Sequence, residues 1–310
     1  MKSRIKEILK QAKEVVRAII MDQDGTIKGG NDHVYQKANI QDLLRKIARA
    51  GKHPAIITAS GASALKSLSS ICDFYAHKPI LPSMYIGIGN GMALYRFDKK
   101  GKTKIYHHGL SINEEKFIMM VWQELCKTLG VKESDIQLQG IETFKKFIRT
   151  DWAGYIPSEY LKLCRQYGGQ CFTELIKVTI VLPAWDAEKQ RRLVKQMQLS
   201  LNVKKGKNKY IALRGDGIYM HVTRFFDIDP KLFALRTIMK ELNLMSHQVA
   251  VFGDLPLDND RGLLVESELP YAFTNNEFGK YNVNKPPYII PGSSISPVGS
   301  VYKIINYLLS

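Results

Sequence analysis

The stretch from Arg17 to Thr26, "RAIIMDQDGT", constrains the fold more than any other part of the chain. Its apolar half has no helical period and contains β-branched isoleucines, which predicts a short strand. Residues two apart in a strand point the same way, so Asp22 and Asp24 are expected to face one direction where a loop begins. Two carboxylates that close repel each other and resist burial. A divalent cation is the simplest compensation.

Strand and helix patterns alternate in the first and last thirds of the chain. After the first strand come a helix over 37–50 and an apolar strand over 54–59, with a further helix starting near Gly61. The last third contains a helix over 230–243, short strands and a closing helix over 298–309. This order is typical of a parallel sheet covered by helices.

The middle of the chain has a different pattern. Between about 84 and 225 the strand patterns are longer and come in adjacent pairs, with helices between them. Such runs predict an α+β domain with an antiparallel sheet. We therefore expect an α/β protein with a Rossmann-like parallel-sheet core, formed by residues 1–83 and 226–310, and an inserted α+β domain of residues 84–225.

Composition narrows the classes of function. The 310 residues are 45% hydrophobic, which predicts a globular protein, and no apolar run is long enough to span a bilayer. The four cysteines form no C-x-x-C pair, and the N-terminus has no secretory pattern, so we expect free thiols and a cytoplasmic protein. The net charge of +16 indicates an anionic partner. Because the charge is widely spread, a small phosphorylated substrate is favoured over nucleic acid, and no membrane partner is expected.

Two further segments carry polar groups at predicted strand ends. Ser60 follows the strand over 54–59 and precedes a predicted helix, where a hydroxyl and backbone N–H groups suit a phosphate; ordinary N-capping is the alternative. Asp254 ends the apolar strand "QVAVFGD", with Asp258 and Asp260 close behind. Asp254 beside Asp22 would complete a site for a hard metal ion.

These pieces, in this order, resemble the haloacid dehalogenase-like (HAD) superfamily of phosphohydrolases. The first motif of that family, D-x-D-G-T, matches Asp22–Thr26, and its second, a serine or threonine after a strand, matches Ser60. Its third, a lysine opening a helix, matches Lys231, and its acidic fourth matches Gly253, Asp254 and Asp258.

The spacing of the motifs resembles the Cof-type sugar phosphatase branch in particular. Too few residues separate Asp22 from Ser60 to hold another domain, whereas the stretch from Ser60 to Lys231 is ample for a cap domain. The Asn90–Gly91 pair is similar to that branch's cap entry. The second motif of that branch usually reads threonine-glycine-arginine, whereas here it is Ser60-Gly61-Ala62, so the arginine and any role it has in substrate binding are absent.

The resemblance implies a role for each matched residue. Asp22 would be the nucleophile and Asp24 the general acid and base, while Ser60 and Lys231 would hold the phosphoryl oxygens. The metal ion would be Mg²⁺, bound by Asp22, by Asp24 through its backbone carbonyl, by Asp254 and by Asp258. A two-residue insertion in "GDLPLDND" would instead make Asn259 and Asp260 the equivalents of the last position; spacing favours Asp258.

The function implied is a Mg²⁺-dependent phosphomonoesterase that acts on a small phosphorylated metabolite, a sugar phosphate in the related branch, through an aspartyl-phosphate. A phosphomutase using the same site is one alternative, and a catalytically inactive, basic nucleic-acid-binding protein on this fold is another. The inserted domain should supply substrate contacts, for which Arg149, Arg214 and His221 are candidates, with hinges near 82–86 and 223–229.

Overall fold

The computed structural model describes residues 2–28, 37–61, 64, 81–142, 158–166, 171–173, 176–205, 209–215, 218–275, 285–290 and 296–310. The chain divides into two compact units. The first unit comprises Met1–Tyr106 and Ile228–Ser310, and the second comprises His107–Asp227.

The described elements alternate along the chain much as the sequence predicts. The strands are β1 (Ala18–Met21), β2 (His53–Ile57), β3 (Met84–Ile88), β4 (Ala93–Asp98), β5 (Gly101–His107), β6 (Cys171–Thr173), β7 (Val178–Val181), β8 (Tyr210–Arg214), β9 (Tyr219–Arg224), β10 (Val249–Gly253), β11 (Tyr271–Thr274) and β12 (Tyr288–Ile289). The α-helices are α1 (Lys2–Val15), α2 (Lys37–Arg49), α3 (Ile112–Leu129), α4 (Ser158–Gln166), α5 (Ala187–Lys205), α6 (Pro230–Glu241), α7 (Arg261–Leu264) and α8 (Pro297–Leu309).

The first unit is built on a sheet with the strand order β12-β11-β10-β1-β2-β3-β4-β5. From β12 to β3 every described pairing is parallel, and β4 runs antiparallel to β3. The residues of β1 and β10 are fully buried, as expected of central strands covered on both faces. The predicted α/β fold with a Rossmann-like, mostly parallel sheet is confirmed.

The parallel arrangement brings three chain ends to one edge of the sheet. Strand β1 lies between β10 and β2, with Ala18 opposite both Val249 and His53. The chain therefore leaves these three neighbouring strands on the same side. In open α/β sheets ligands bind outside the carboxyl ends of the strands, so this edge is where a site is expected.

The first boundary between the units differs from the predicted one. Residues 84–106 were expected to open the inserted domain, but they belong to the first unit. Strands β3 and β4 pair antiparallel, but β3 also pairs in parallel with β2 and so extends the central sheet. The chain passes between the units at 106–107 and 227–228. The expected hinge at 82–86 therefore does not lie at a boundary, whereas 223–229 spans one.

The second unit has its own sheet and core. Its described strands form an antiparallel sheet in the order β6-β7-β9-β8, and α3, α4 and α5 accompany it, in keeping with the predicted α+β pattern. Trp122, Met197 and Met220 are fully buried members of its core. Helix α3 begins with a capping box formed by Ser111 and Glu114.

Two expectations from composition can be compared with the described residues. Among them no helix has both the length and the apolar content needed to cross a bilayer. Three of the four cysteines, Cys126, Cys164 and Cys171, are buried free thiols. Cys72 lies outside the described residues.

We predict that Glu114 makes the second unit sensitive to acid. Burial acts to raise the pKa of Glu114, but hydrogen bonds from Ser111 and an ion pair with Arg224, at 2.6 Å, outweigh it and lower the pKa to about 2. A carboxylate with a depressed pKa stabilises the fold above its unfolded pKa, and this contribution disappears as the pH falls from about 4.5 towards about 2. Urea denaturation of wild type and Glu114→Gln should differ most near neutral pH and converge in acid. A difference that does not change with pH contradicts this account.

Candidate active site

Three carboxylates meet at the sheet edge identified above. Asp22 directly follows β1, Asp254 directly follows β10, and Asp260 precedes α7. One oxygen from each lies within 4.8 Å of the others. The register of the two strands brings the first two together, since Met21 is opposite Phe252 and the Asp22 N–H donates to the Phe252 carbonyl at 2.9 Å.

A buried lysine neutralises part of this charge. Lys231, in the first turn of α6, donates through Nζ to Asp22 Oδ1 at 2.6 Å and to Asp260 Oδ1 at 2.5 Å. Its side chain is fully buried. Burial alone would lower the pKa of Lys231, but the two carboxylates outweigh burial and raise the pKa, so the ammonium stays charged. One cation therefore faces three carboxylates.

The excess of negative charge changes the proton affinity of the carboxylates. Burial, followed by repulsion from Asp260, raises the pKa of Asp22 to about 7, although Lys231 opposes the shift. Burial, and repulsion from Asp260 and Asp22, raise the pKa of Asp254 well above its usual value. Burial also acts to raise the pKa of Asp260, but Lys231 and backbone N–H groups outweigh it and lower the pKa. Asp22 and Asp254 are thus the two carboxylates whose negative charge is not fully compensated.

The donor set fits Mg²⁺, which prefers carboxylate and carbonyl oxygens. An ion with bonds of about 2.1 Å joins oxygens up to about 4.2 Å apart, so the observed spacing needs only small side-chain adjustments. Asp260 is already engaged by Lys231 and by the N–H groups of Asp254 and Leu255, at 2.9 and 3.0 Å. Asp22 and Asp254 are therefore the side chains that would hold the ion, while Asp260 holds the lysine.

The glycine-threonine pair of the first motif lies against Asp254. Thr26 Oγ1 donates to Asp254 Oδ1 at 3.3 Å. Gly25 has a φ of +83°, and a Cβ there would lie 2.3 Å from Asp254 Oδ2. The Gly25 carbonyl also accepts a hydrogen bond from Asn275 Nδ2 at 2.9 Å. Asn275 directly follows β11, the next parallel strand, and sequence reasoning did not assign it to the site, although its place after a strand is a usable signal.

Asp24 and Ser60, which follow the adjacent strands β1 and β2, are in contact. Ser60 Oγ donates to Asp24 Oδ2 at 3.0 Å. The other Asp24 oxygen accepts a hydrogen bond from Lys28 Nζ at 2.8 Å, and the Asp24 side chain is half-exposed. Lys28 was not singled out from the sequence; its position four residues after Asp24 is the only local signal for the pairing.

The choice of Asp258 as the last metal ligand does not match the geometry. Among the described residues, Asp260 and not Asp258 belongs to the carboxylate group, and Asp258 is partly exposed. The N–H groups of Asp258 and Asp260 both donate to the Leu255 carbonyl, at 3.1 and 2.9 Å. This turn directs Asp260 back towards Gly253. A Cβ added at Gly253 would lie 2.8 Å from Asp260 Oδ2.

The candidate substrate contacts lie elsewhere in the chain. Arg214 ends β8 and donates through Nε to Gln190 Oε1 at 3.0 Å. His221 lies in β9 with its Nδ1 2.9 Å from Lys177 Nζ. Both belong to the second unit. Arg149 and Ala62 lie outside the described residues.

We predict that Gly25→Ala abolishes metal binding whereas Gly51→Ala does not. Both glycines have positive φ, +83° and +75°, so alanine strains either position by about 1–2 kcal/mol. Only at Gly25 would the new Cβ displace Asp254, because a Cβ at Gly51 meets no atom of the described residues within 4 Å. Mg²⁺ should raise the Tm of wild type and of Gly51→Ala but not of Gly25→Ala. An equal Mg²⁺-induced shift in all three proteins contradicts the site.

We also predict that Asp260 and Asp258 respond very differently to neutralisation. Asp260→Asn breaks the buried ion pair with Lys231 and weakens the hydrogen bonds from the N–H groups of Asp254 and Leu255. Reduced repulsion of Asp22 and Asp254 offsets part of this loss, so the variant should cost about 2 kcal/mol or more in unfolding free energy. Asp258→Asn, in a partly exposed turn, should cost less than about 1 kcal/mol. Urea denaturation without added metal measures both. Similar losses for the two variants would show that Asp260 does not have this role.

Comparison with known proteins gives a likeness at the level of structure. No protein-family model matches the sequence, and no curated protein matches it. Solved structures do match. A mutant IMP-nucleotidase from Plasmodium falciparum with bound IMP has a TM-score of 0.59 at 13% identity, covering 99% of this chain and 70% of that chain.

Two bacterial structures match over most of both chains. A phosphatase of the HAD enzyme superfamily from Bacteroides thetaiotaomicron has a TM-score of 0.54 at 13% identity, covering 94% of this chain and 96% of that chain. A haloacid dehalogenase-like hydrolase from the same bacterium has a TM-score of 0.52 at 13% identity, covering 93% and 99%. At such identities the likeness shows the fold alone, which this chain shares with these structures.

Proposed function

We propose that the protein is a member of the HAD superfamily and a Mg²⁺-dependent phosphomonoesterase that works through an aspartyl-phosphate on Asp22. The observation that carries the proposal is the buried contact of Lys231 with Asp22 inside a group of carboxylates at the carboxyl edge of the sheet. A nucleophile, a fixed positive charge and oxygen ligands for a hard metal ion are all present there.

The first step is attack by an Asp22 carboxylate oxygen on the phosphorus of the substrate. The bond from phosphorus to the leaving oxygen breaks as the bond to Asp22 forms. Lys231, held 2.6 Å from Asp22, lies where negative charge on the phosphoryl oxygens can be stabilised without reorganisation. Ser60 supplies a hydroxyl for the same oxygens.

Asp22, Asp254 and the backbone carbonyl of Asp24 would hold Mg²⁺. When bound, the ion polarises the phosphoryl group and neutralises charge between the substrate and the carboxylates. The raised pKa values of Asp22 and Asp254 support this assignment, because a nearby cation favours the ionised form that both roles require.

Asp24 acts first as a general acid towards the leaving group and then as a general base towards water. In its acid form it donates a proton to the leaving oxygen; as a carboxylate it then takes a proton from the water that attacks the phosphorus, which releases Asp22 and inorganic phosphate. In the free protein Ser60 and Lys28 both donate to Asp24. A phosphoryl group that accepts the Ser60 hydrogen bond would free one Asp24 oxygen for proton transfer.

We propose that the second unit acts as a cap that recognises the rest of the substrate. The resemblance to the Cof-type branch favours a sugar phosphate, and Arg149, Arg214 and His221 are the candidate contacts. A panel of sugar phosphates and nucleoside monophosphates, assayed for phosphate release, would identify the substrate. Transfer of phosphate to a second sugar phosphate would indicate the phosphomutase alternative, and salt-sensitive RNA binding without hydrolysis would indicate the binding-protein alternative.

We predict that Asp22→Asn abolishes hydrolysis of p-nitrophenyl phosphate. The substitution keeps the size of the side chain and removes the nucleophile. Lys231 keeps its contact with Asp260, so the variant should fold, less stably than wild type, while Mg²⁺-dependent phosphate release disappears. Far-UV circular dichroism checks the fold. Full activity in this variant, or turnover by the wild type in excess chelator, contradicts the mechanism.

We predict a smaller loss for Asp24→Ala. Its backbone carbonyl remains available to the metal ion, so Mg²⁺ should still raise the Tm. Because a general acid and base contributes about 10²–10⁴-fold to rate, kcat should fall by that factor. A variant that turns over at the wild-type rate would remove Asp24 from this role.

A further inference from the structure

Helix α6 begins with a buried aspartate outside the carboxylate group. Asp229 is the N-cap residue, and only 6% of it is exposed. Its Oδ1 accepts hydrogen bonds from the N–H groups of Lys231, at 2.8 Å, and Leu232, at 3.3 Å. Pro230, which follows Asp229 directly, has no N–H to donate. Asp229 therefore holds the backbone of Lys231, whose side chain reaches Asp22.

The same carboxylate oxygen of Asp229 lies close to the segment that follows Asp260. Gly262, two residues after Asp260, is buried, and a Cβ there would lie 2.0 Å from Asp229 Oδ1. A side chain at residue 262 would therefore displace the Asp229 carboxylate, which accepts the N–H groups of α6. Asp229 thus lies close both to the first turn of α6, which carries Lys231, and to α7, which Asp260 directly precedes.

The first turn of α6 also packs closely against Gly91. At Gly91, which has a φ of +84°, a Cβ would lie 2.7 Å from the Pro230 carbonyl oxygen. The Gly91 carbonyl accepts a hydrogen bond from Tyr106 at 2.8 Å. With Gly91 packed against Pro230 and Gly262 packed against Asp229, the start of α6 has little freedom to shift.

We propose that Asp229, seated against Gly262, is a positioning residue that sets where the Lys231 ammonium lies relative to Asp22 and Asp260. Asp229 makes no contact with substrate in this proposal and acts only through the α6 backbone. The inference rests on the proposed function, because the position of Lys231 matters to turnover only if Lys231 serves phosphoryl transfer.

The test compares kcat and KM for p-nitrophenyl phosphate with Mg²⁺ in wild type, Asp229→Ala and Asp229→Asn. Asp229→Ala should lower kcat by about 10- to 100-fold at temperatures well below its Tm, since a misplaced catalytic group costs up to about 10²-fold. Asp229→Asn keeps a cap acceptor of similar quality, so its kcat should stay within about threefold of wild type. Asp229→Gly replaces the alanine variant if that variant does not fold, because glycine is a tolerated N-cap without a side-chain acceptor.

The matched control is Ser111→Ala, which removes the N-cap side chain of α3 in the second unit. It should lower the Tm as Asp229→Ala does and leave kcat unchanged. Gly262→Ala should lower kcat in the same way as Asp229→Ala, and the double variant Asp229→Ala/Gly262→Ala should be no slower than Asp229→Ala alone, because the two changes act on one contact.

Each outcome decides the inference. Suppose that wild type hydrolyses the substrate and that Asp229→Ala, or Asp229→Gly in its place, has the same kcat as Ser111→Ala. Asp229 is then a structural cap only, and the inference fails while the proposed function stands. Independent, multiplicative effects of Asp229→Ala and Gly262→Ala would overturn it as well. A wild-type protein that hydrolyses no phosphomonoester overturns the proposed function and this inference with it.

Discussion

The contact between the Lys231 ammonium and the carboxylates of Asp22 and Asp260 is the interaction on which the site depends. All three side chains are almost fully buried, at 0, 5 and 0% exposure, so each has lost most of its hydration. Breaking such a contact leaves an uncompensated buried charge, which costs several kcal/mol. The fold therefore has to bring β1, α6 and the segment before α7 together within hydrogen-bond distance, although they lie far apart in the chain.

Close approach of backbone to carboxylate recurs around this contact. Gly25 lies against Asp254, Gly253 against Asp260 and Gly262 against Asp229, each at a distance that a Cβ would not permit. The glycines let acidic side chains pack beside main chain at the sheet edge. The acidic side chains that remain under-compensated after Lys231 are Asp22 and Asp254, and it is this local deficit of positive charge, rather than the net charge of +16, that favours a cation.

The parts of the site that could be predicted from sequence are those set by local pattern. Asp22, Ser60 and Asp254 each follow an apolar strand, and parallel strands deliver such residues to one edge. Lys231 could be placed only by motif order, because a lysine opening a helix carries no signal of burial. The choice between Asp258 and Asp260 depends on a turn closed by hydrogen bonds to the Leu255 carbonyl, which spacing does not reveal.

The first domain boundary could not be predicted from the sequence for a similar reason. The adjacent strand patterns of 84–107 correctly indicate a hairpin, but the parallel pairing of β3 with β2 joins segments separated by residues 58–83 and leaves no local pattern. Asp229 followed by proline is a readable helix start. That it is buried against Gly262, more than thirty residues later, is a property of the fold alone.

The most direct test of the account is a crystal structure of the protein soaked with Mn²⁺ in place of Mg²⁺, with anomalous scattering used to locate the ion. We expect one peak within bonding distance of the Asp22 and Asp254 carboxylates, with Lys231 still in contact with Asp22. Absence of a peak there at saturating Mn²⁺, with both carboxylates ordered, would contradict the claim that this sheet edge is built to hold a metal ion beside the nucleophile.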